Sequence, residues 1–170
     1  MIMWQAEPLL LCGKNYSMST LEKGSKAPAF SLKNQEGKTV KLSDYLGKKV
    51  VIFFYPQDMT PTCTVEACNL RDNYQSLQKA GIEVLGISPD DTVSHTKFIA
   101  KHELPYTLLA DTDNKVLEKY GAWGEKNMYG RKYMGVLRTT FLIDEKGIIF
   151  DVIRKVKSAE HATQILDKWK

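Results

Sequence analysis

Two cysteines, Cys63 and Cys68, stand five residues apart, the first closing the segment Pro56-Gln57-Asp58-Met59-Thr60-Pro61-Thr62-Cys63. The thiolate is the reactive form of cysteine, and positive charge or a helix N-terminus favours it. Cys63 falls where an apolar run has ended and a helical pattern begins. The unpaired N–H groups and the positive dipole end of that helix favour an anion on its sulfur. Thr60, three residues earlier, offers a hydroxyl that can accept a substrate proton or hydrogen-bond the thiolate. Pro61 fixes the loop and removes a competing N–H. A single cysteine at a helix start is equally well a small buried hydrophobe. Pro56, Thr60 and Pro61 around it tip the balance toward nucleophilic chemistry.

Other chemistries find less support. Cys12 has no partner suggested by spacing and reads as incidental. His95 and His102 could share a helix face and read as exposed side chains; His161 lies far away. A zinc site wants paired ligands two to four residues apart, and no such pair exists. No metal is expected. Neither a GxGxxG nor a P-loop pattern appears, so no nucleotide or other cofactor is expected. The densest basic stretch, Arg154-Lys155-Val156-Lys157, is too short for a nucleic-acid footprint and marks a solvated strand end.

The elements that must hold Cys63 follow from periodicity. Residues 49–55 form a continuous apolar run, Lys-Val-Val-Ile-Phe-Phe-Tyr, the pattern of a strand covered on both faces. Pro56 ends it. From Cys63 to Ala80 the pattern is helical, with Val65, Leu70, Tyr74 and Leu77 near helical spacing and Gly81 closing the C-terminus. Residues 82–88 form a second buried strand, 91–101 a helix, 107–109 a short strand and 114–120 a helix. Strands at 138–143 and 148–153 flank the turn Asp144-Glu145-Lys146-Gly147, and 159–169 close the chain as a helix. Ahead of these, 29–32 and 39–42 flank Asn34-Gln35-Glu36-Gly37 as an N-terminal hairpin, with a helical turn at 43–47. Strand–helix alternation followed by a hairpin gives a mixed central sheet with helices on both faces, a thioredoxin-like α/β fold. Ligands of such sheets bind beyond the carboxyl ends of strands, where Cys63 falls.

At 170 residues, 43% hydrophobic and 26% charged, the chain suits one domain with a core of its own. A net charge of +4 is small and dispersed. Three cysteines are too few for a secreted disulfide scaffold, so a close pair is expected to be catalytic or metal-binding in a reducing, cytoplasmic setting. No segment has the ~20 apolar residues of a membrane span. Residues 1–17 lack a basic start and carry Glu7 and Pro8 where a leader would be apolar. They are expected to be a disordered or dispensable extension of a domain over 18–170.

Pro56-x-x-x-Thr60-x-x-Cys63 resembles the active-site motif of the peroxiredoxins. Cys63-Thr64-x-Glu66-Ala67-Cys68 followed by Leu70-Arg71-Asp72 resembles their bacterioferritin-comigratory (Q-type, thioredoxin-dependent) branch. The likeness runs from about Lys23 to Trp169 and includes Ala122-Trp123-Gly124-Glu125-Lys126 and Arg138-Thr139-Thr140-Phe141-Leu142-Ile143-Asp144. It implies a thiol peroxidase that reduces hydrogen peroxide and organic hydroperoxides to water and alcohols. Cys63 would be the nucleophile, becoming a sulfenic acid. Thr60 and Arg138 would hold the peroxide, Pro56 would shape its site, and Cys68 would close an intramolecular disulfide. A thioredoxin-type dithiol would then reduce the bridge. A bridge within one chain needs no second subunit, so a monomer is expected. Two alternatives stand beside this: a dithiol–disulfide oxidoreductase acting on proteins, for which a two-residue spacing would be usual, and a non-enzymatic binding module.

Helix geometry constrains the cysteine pair. Five residues at about 100° each set the side chains roughly 140° apart, with Cα atoms about 8.6 Å apart. A disulfide needs them within about 7 Å. Bridging therefore requires the first turns of the helix to unwind.

Overall fold

The computed structural model describes residues 21–169. The extension expected over 1–17, and Cys12 within it, lie outside the described residues. In chain order the elements are β1 (Ser31–Asn34), β2 (Thr39–Lys41), β3 (Lys49–Phe54), α1 (Pro61–Asp72), α2 (Tyr74–Lys79), β4 (Ile82–Ser88) and α3 (Thr92–His102). There follow β5 (Thr107–Ala110), α4 (Lys115–Lys119), β6 (Trp123–Met128), β7 (Arg131–Val136), β8 (Thr139–Ile143), β9 (Ile149–Ile153) and α5 (His161–Lys168).

Seven strands form one sheet in the order β2-β1-β5-β4-β3-β8-β9, with β3, β4 and β5 parallel and the others antiparallel to their neighbours. This is the expected mixed sheet, and the N-terminal hairpin becomes its edge beside β5. The apolar run of β3 is explained by its two faces. Val51, Phe53 and Tyr55 pack with Leu70, Leu77, Phe98 and Ile165 beneath α1, α2, α3 and α5. Val50, Ile52 and Phe54 pack with Leu117, Tyr120 and Phe141 on the face covered by α4. Burying both sides of a strand is what removes its period-two polarity.

Three expectations need correction. The helix expected over 63–80 is two helices, broken at Asn73 (φ −107°, ψ 10°), whose side-chain amide donates to the Asn69 carbonyl 2.9 Å away. An asparagine offers the backbone such an alternative partner and so interrupts helices. Val65, placed inward by spacing, is 47% exposed, and Glu66 takes the inward position. His95, placed in solvent, is buried. The hairpin β6–β7, joined by Tyr129 and Gly130 at positive φ, lay unseen because most of its side chains are polar or exposed on both faces.

Gly86, in the middle of β4, lies under Phe53 and Leu108. A Cβ there would stand 2.6 Å from Leu108 Cδ2 and 2.8 Å from Phe53 Cζ. Both neighbours are fully enclosed and cannot swing away. Gly86→Ala should therefore cost on the order of 1–3 kcal/mol through overpacking. Denaturant unfolding measures this, and an unchanged midpoint would mean that the core relaxes freely around the methyl group.

Candidate active site

β3 delivers the chain to the carboxyl edge of the sheet, and residues 56–60 turn it into α1. Thr60 is the N-cap (φ −75°, ψ 151°) and Pro61 opens the helix, where its missing N–H costs nothing. Cys63 therefore occupies the third helical position, in the first turn. It is only 2% exposed.

Arg138 reaches this cysteine from 75 residues away, and sheet register brings it there. β8 runs antiparallel to β3 with Thr139 opposite Phe54, so the residue before β8 lies beside the end of β3, next to the loop. One guanidinium nitrogen, Nη2, donates to Cys63 Sγ at 3.1 Å. The other, Nη1, donates to Glu66 Oε2 at 3.1 Å. Burial works against the charge of Arg138, but Glu66 and Cys63 together outweigh it and hold its pKa above the ordinary value.

Glu66 has no exposed side-chain surface. Burial pushes its pKa up to about 7, although Arg138 pulls in the opposite direction. Oε2 takes the arginine, while Oε1 has no hydrogen-bond partner among the described residues. One helical turn from Cys63, this buried acid is the counter-charge that orients Arg138.

The loop before Cys63 is pinned by a second polar group. Asp58 Oδ1 accepts from Tyr55 Oη at 2.6 Å, and Oδ2 accepts from Ser94 Oγ at 2.8 Å. His95 Nδ1 lies 2.8 Å from the same Oδ2, and its Nε2 lies 3.0 Å from the Leu109 carbonyl. A carbonyl can only accept, so Nε2 is the donor in that contact. The Asp58 N–H donates to Asp90 Oδ2 at 2.7 Å. These bonds tie the loop to the turn after β4, to α3 and to β5, and beside them Met59 sits at φ +65°, a conformation side chains seldom adopt.

Of the residues singled out by sequence, the fold brings Cys63 and Arg138 into direct contact. The Thr60 hydroxyl donates to the Gln57 carbonyl at 3.0 Å rather than to the cysteine, which leaves its lone pairs as acceptors. Pro56 ends β3 and shapes the loop, half-buried. Cys68 is half-buried on the same unbroken helix, and both thiols are free. Glu66, Asp58 and His95 were missed as site residues. For Glu66 the signal was a carboxylate in the segment between two cysteines, which is ordinarily a solvated side chain. Asp58, Asp90 and His95 also present ligand atoms close enough to hold a cation. All three residues take part in the hydrogen bonds just described.

Residues 23–152 match the AhpC/TSA family. Peroxiredoxin Bcp of Bacillus subtilis is 46% identical over 151 residues, which cover 89% of this chain and 96% of the relative. Peroxiredoxin Bcp of Escherichia coli is 46% identical over 150 residues, 88% of this chain and 96% of that one. Among solved structures, the bacterioferritin comigratory protein of Xanthomonas campestris, described in terms of alkyl peroxide reduction, superposes with a TM-score of 0.77. It is 36% identical and spans 81% of this chain and 88% of its own.

The raised pKa of Glu66 has a thermodynamic consequence. An acid that holds its proton more tightly when folded adds stability below its unfolded pKa and loses that contribution as pH rises through the folded one. For Glu66 the loss falls between its ordinary 4.5 and about 7. At about 1.4 kcal/mol per unit it amounts to on the order of 3 kcal/mol. Glu66→Gln removes the titration, so the stability difference between variant and parent should shift in favour of the variant across that window. Unfolding curves at a series of pH values test this, and parallel profiles would refute it.

Proposed function

The chain belongs to the AhpC/TSA family, in its bacterioferritin-comigratory peroxiredoxin branch, and is a thiol peroxidase; on that premise we propose how its residues divide the reaction. Cys63 attacks the terminal oxygen of a hydroperoxide. The O–O bond breaks, Cys63 becomes a sulfenic acid, and the remaining oxygen leaves as water or an alcohol. Arg138 stabilises the charge that develops on the two oxygens, as oriented donors do in other displacements. The observation that carries this assignment is its guanidinium, shared between Cys63 Sγ and buried Glu66 at 3.1 Å each. Thr60, with its hydrogen held by Gln57, offers a lone pair to the peroxide proton. Pro56 shields the loop side of the pocket.

Cys68 then attacks the sulfenic sulfur, releasing water and closing an intramolecular disulfide. A thiol reductant regenerates both cysteines; we assign this role to a dithiol of the thioredoxin type. The bridge needs no second chain, which supports a monomer. Catalysis is assigned to residues 18–170, and none of it to 1–17. Among the described residues no helix is long and apolar enough to cross a membrane; the cytoplasmic setting rests on the cysteine usage.

Stopped-flow consumption of hydrogen peroxide by the reduced enzyme tests the first step. Cys63→Ser should abolish it. Arg138→Ala should slow it about a hundredfold, the loss that follows removal of one donor to a developing charge. A loss under threefold would show that Arg138 does not act on the peroxide.

The second step demands a change of fold. Both cysteines sit on an unbroken helix, in which Thr64 N–H donates to the Thr60 carbonyl at 2.9 Å. A bridge between them cannot coexist with that helix. Oxidation should raise hydrogen exchange sharply across residues 62–70 and leave Lys49–Phe54 nearly unchanged. Identical exchange in both redox states, together with a mass map that lacks a Cys63–Cys68 link, would overturn the assignment of Cys68.

A further inference from the structure

Cys68 is not isolated while it waits. Its Sγ lies 3.8 Å from Nδ1 of His102, the last residue of α3. The imidazole ring makes a T-shaped contact with Phe98, centroids 5.3 Å apart at 79°, and the backbone of His102 is tied separately. Its own carbonyl accepts from Arg71 Nη1 at 2.8 Å, and Arg71 is anchored in turn by Asp72. Arg71 thus fastens α1, one turn beyond Cys68, to the end of α3. We propose that His102 is the catalytic base of the resolving step, taking the thiol proton of Cys68 through Nδ1 before α1 unwinds. The proposal rests on Cys68 being the resolving cysteine.

The surroundings suit that role. Burial, then the charges of Lys101 and Arg71, push the His102 pKa below its ordinary value, so the ring is neutral and able to accept at neutral pH. Of the other titratable groups facing the thiol, Arg71 is a cation that steadies a thiolate, its charge favoured first by the hydrogen bond to Asp72. Tyr106 is spoken for, its hydroxyl donating to the Ala67 carbonyl at 2.7 Å, with its own pKa pushed well up by burial. His102 is therefore the group placed to receive the proton. Timing follows from geometry, because Cys68 must leave α3 to reach Cys63, and the contact with Nδ1 exists only while α1 is folded.

The step balances. The Cys68 S–H bond breaks and its proton passes to Nδ1, leaving the electron pair on sulfur. That pair attacks the Cys63 sulfenic sulfur, the S–S bond forms and the S–O bond breaks. The departing hydroxide takes up a proton, restored from the imidazolium through solvent, and leaves as water. Cys68 is oxidised and the sulfenic sulfur reduced, and peroxide has already supplied the oxidising equivalents.

Rapid-quench alkylation with mass analysis separates sulfenic-acid formation from disulfide closure. His102→Gln and His102→Asn should slow closure relative to sulfenic-acid formation by on the order of a hundredfold near neutral pH, the lower end for a positioned proton acceptor. The deficit should shrink as pH rises and Cys68 ionises unaided, and added imidazole should restore part of the rate. In the unaltered enzyme, closure should fall on an acid limb with its midpoint below the ordinary histidine value, a readout that needs no variant. Closure as fast as the parent's at every pH, or faster because the contact merely held the helix shut, would overturn the proposal. Cys68→Ser keeps the two assignments apart. If it still closes a disulfide, the resolving role of Cys68 fails. If it stops at the sulfenic acid while the His102 variants close normally, only the base is lost.

Discussion

A guanidinium taken out of water must be answered by opposite charge, and the structure around Cys63 is organised by how Arg138 is answered. Removing one partner from a buried ion pair costs about 3–5 kcal/mol, so such a pair is held with little freedom. Glu66 binds one arm of the fork and leaves the other aimed at Cys63. The cost of burying Glu66 shows in its raised pKa, and what is gained is a cation whose direction is fixed before substrate arrives. The same pair couples two distant parts of the chain. β8 must register against β3 for Arg138 to arrive, and α1 must be helical for Glu66 to meet it.

That dependence on a folded α1 conflicts with the chemistry assigned to Cys68. The helix positions Cys63, supplies the positive N-terminal field and carries the counter-charge of Arg138, so the peroxide step proposed for Cys63 needs it intact. The disulfide needs it open. The polar contacts are divided accordingly. The Asp58–His95 group fastens the preceding loop to the turn after β4, to α3 and to β5, outside the segment that must unwind. On α1 itself the polar ties are Arg138 to Cys63 and Glu66, Tyr106 to the carbonyl of Ala67, Arg71 to the carbonyl of His102, and Asn69 to the carbonyl of Ala159 and the N–H of Ala162. Unwinding must break these ties, while the anchored loop beside them limits the opening to α1.

Local pattern made much of this legible from sequence. The unbroken apolar run of β3, the proline-bounded loop and the start of a helix at Cys63 are each set by residues near one another in the chain, and they placed that cysteine at the carboxyl end of a central strand. The N-terminal field on its sulfur needs nothing more than the first turn of a helix. The incompatibility of a Cys63–Cys68 bridge with that helix likewise follows from rise and rotation per residue alone.

Tertiary structure decided which neighbours each side chain meets. Val65 and Glu66 are adjacent, and apolar spacing turned the valine inward. Glu66 goes in because Arg138 arrives opposite it, a fact held by the β3–β8 register and not by anything within α1. His95 is buried because Asp58 and the Leu109 carbonyl converge on its two nitrogens from separate elements. His102 meets Cys68 only because α3 ends against the outer side of α1. Sequence periodicity determines that a helix has an inner face. Which polar residue can afford to lie on it depends on charges and carbonyls that only the completed packing brings within reach.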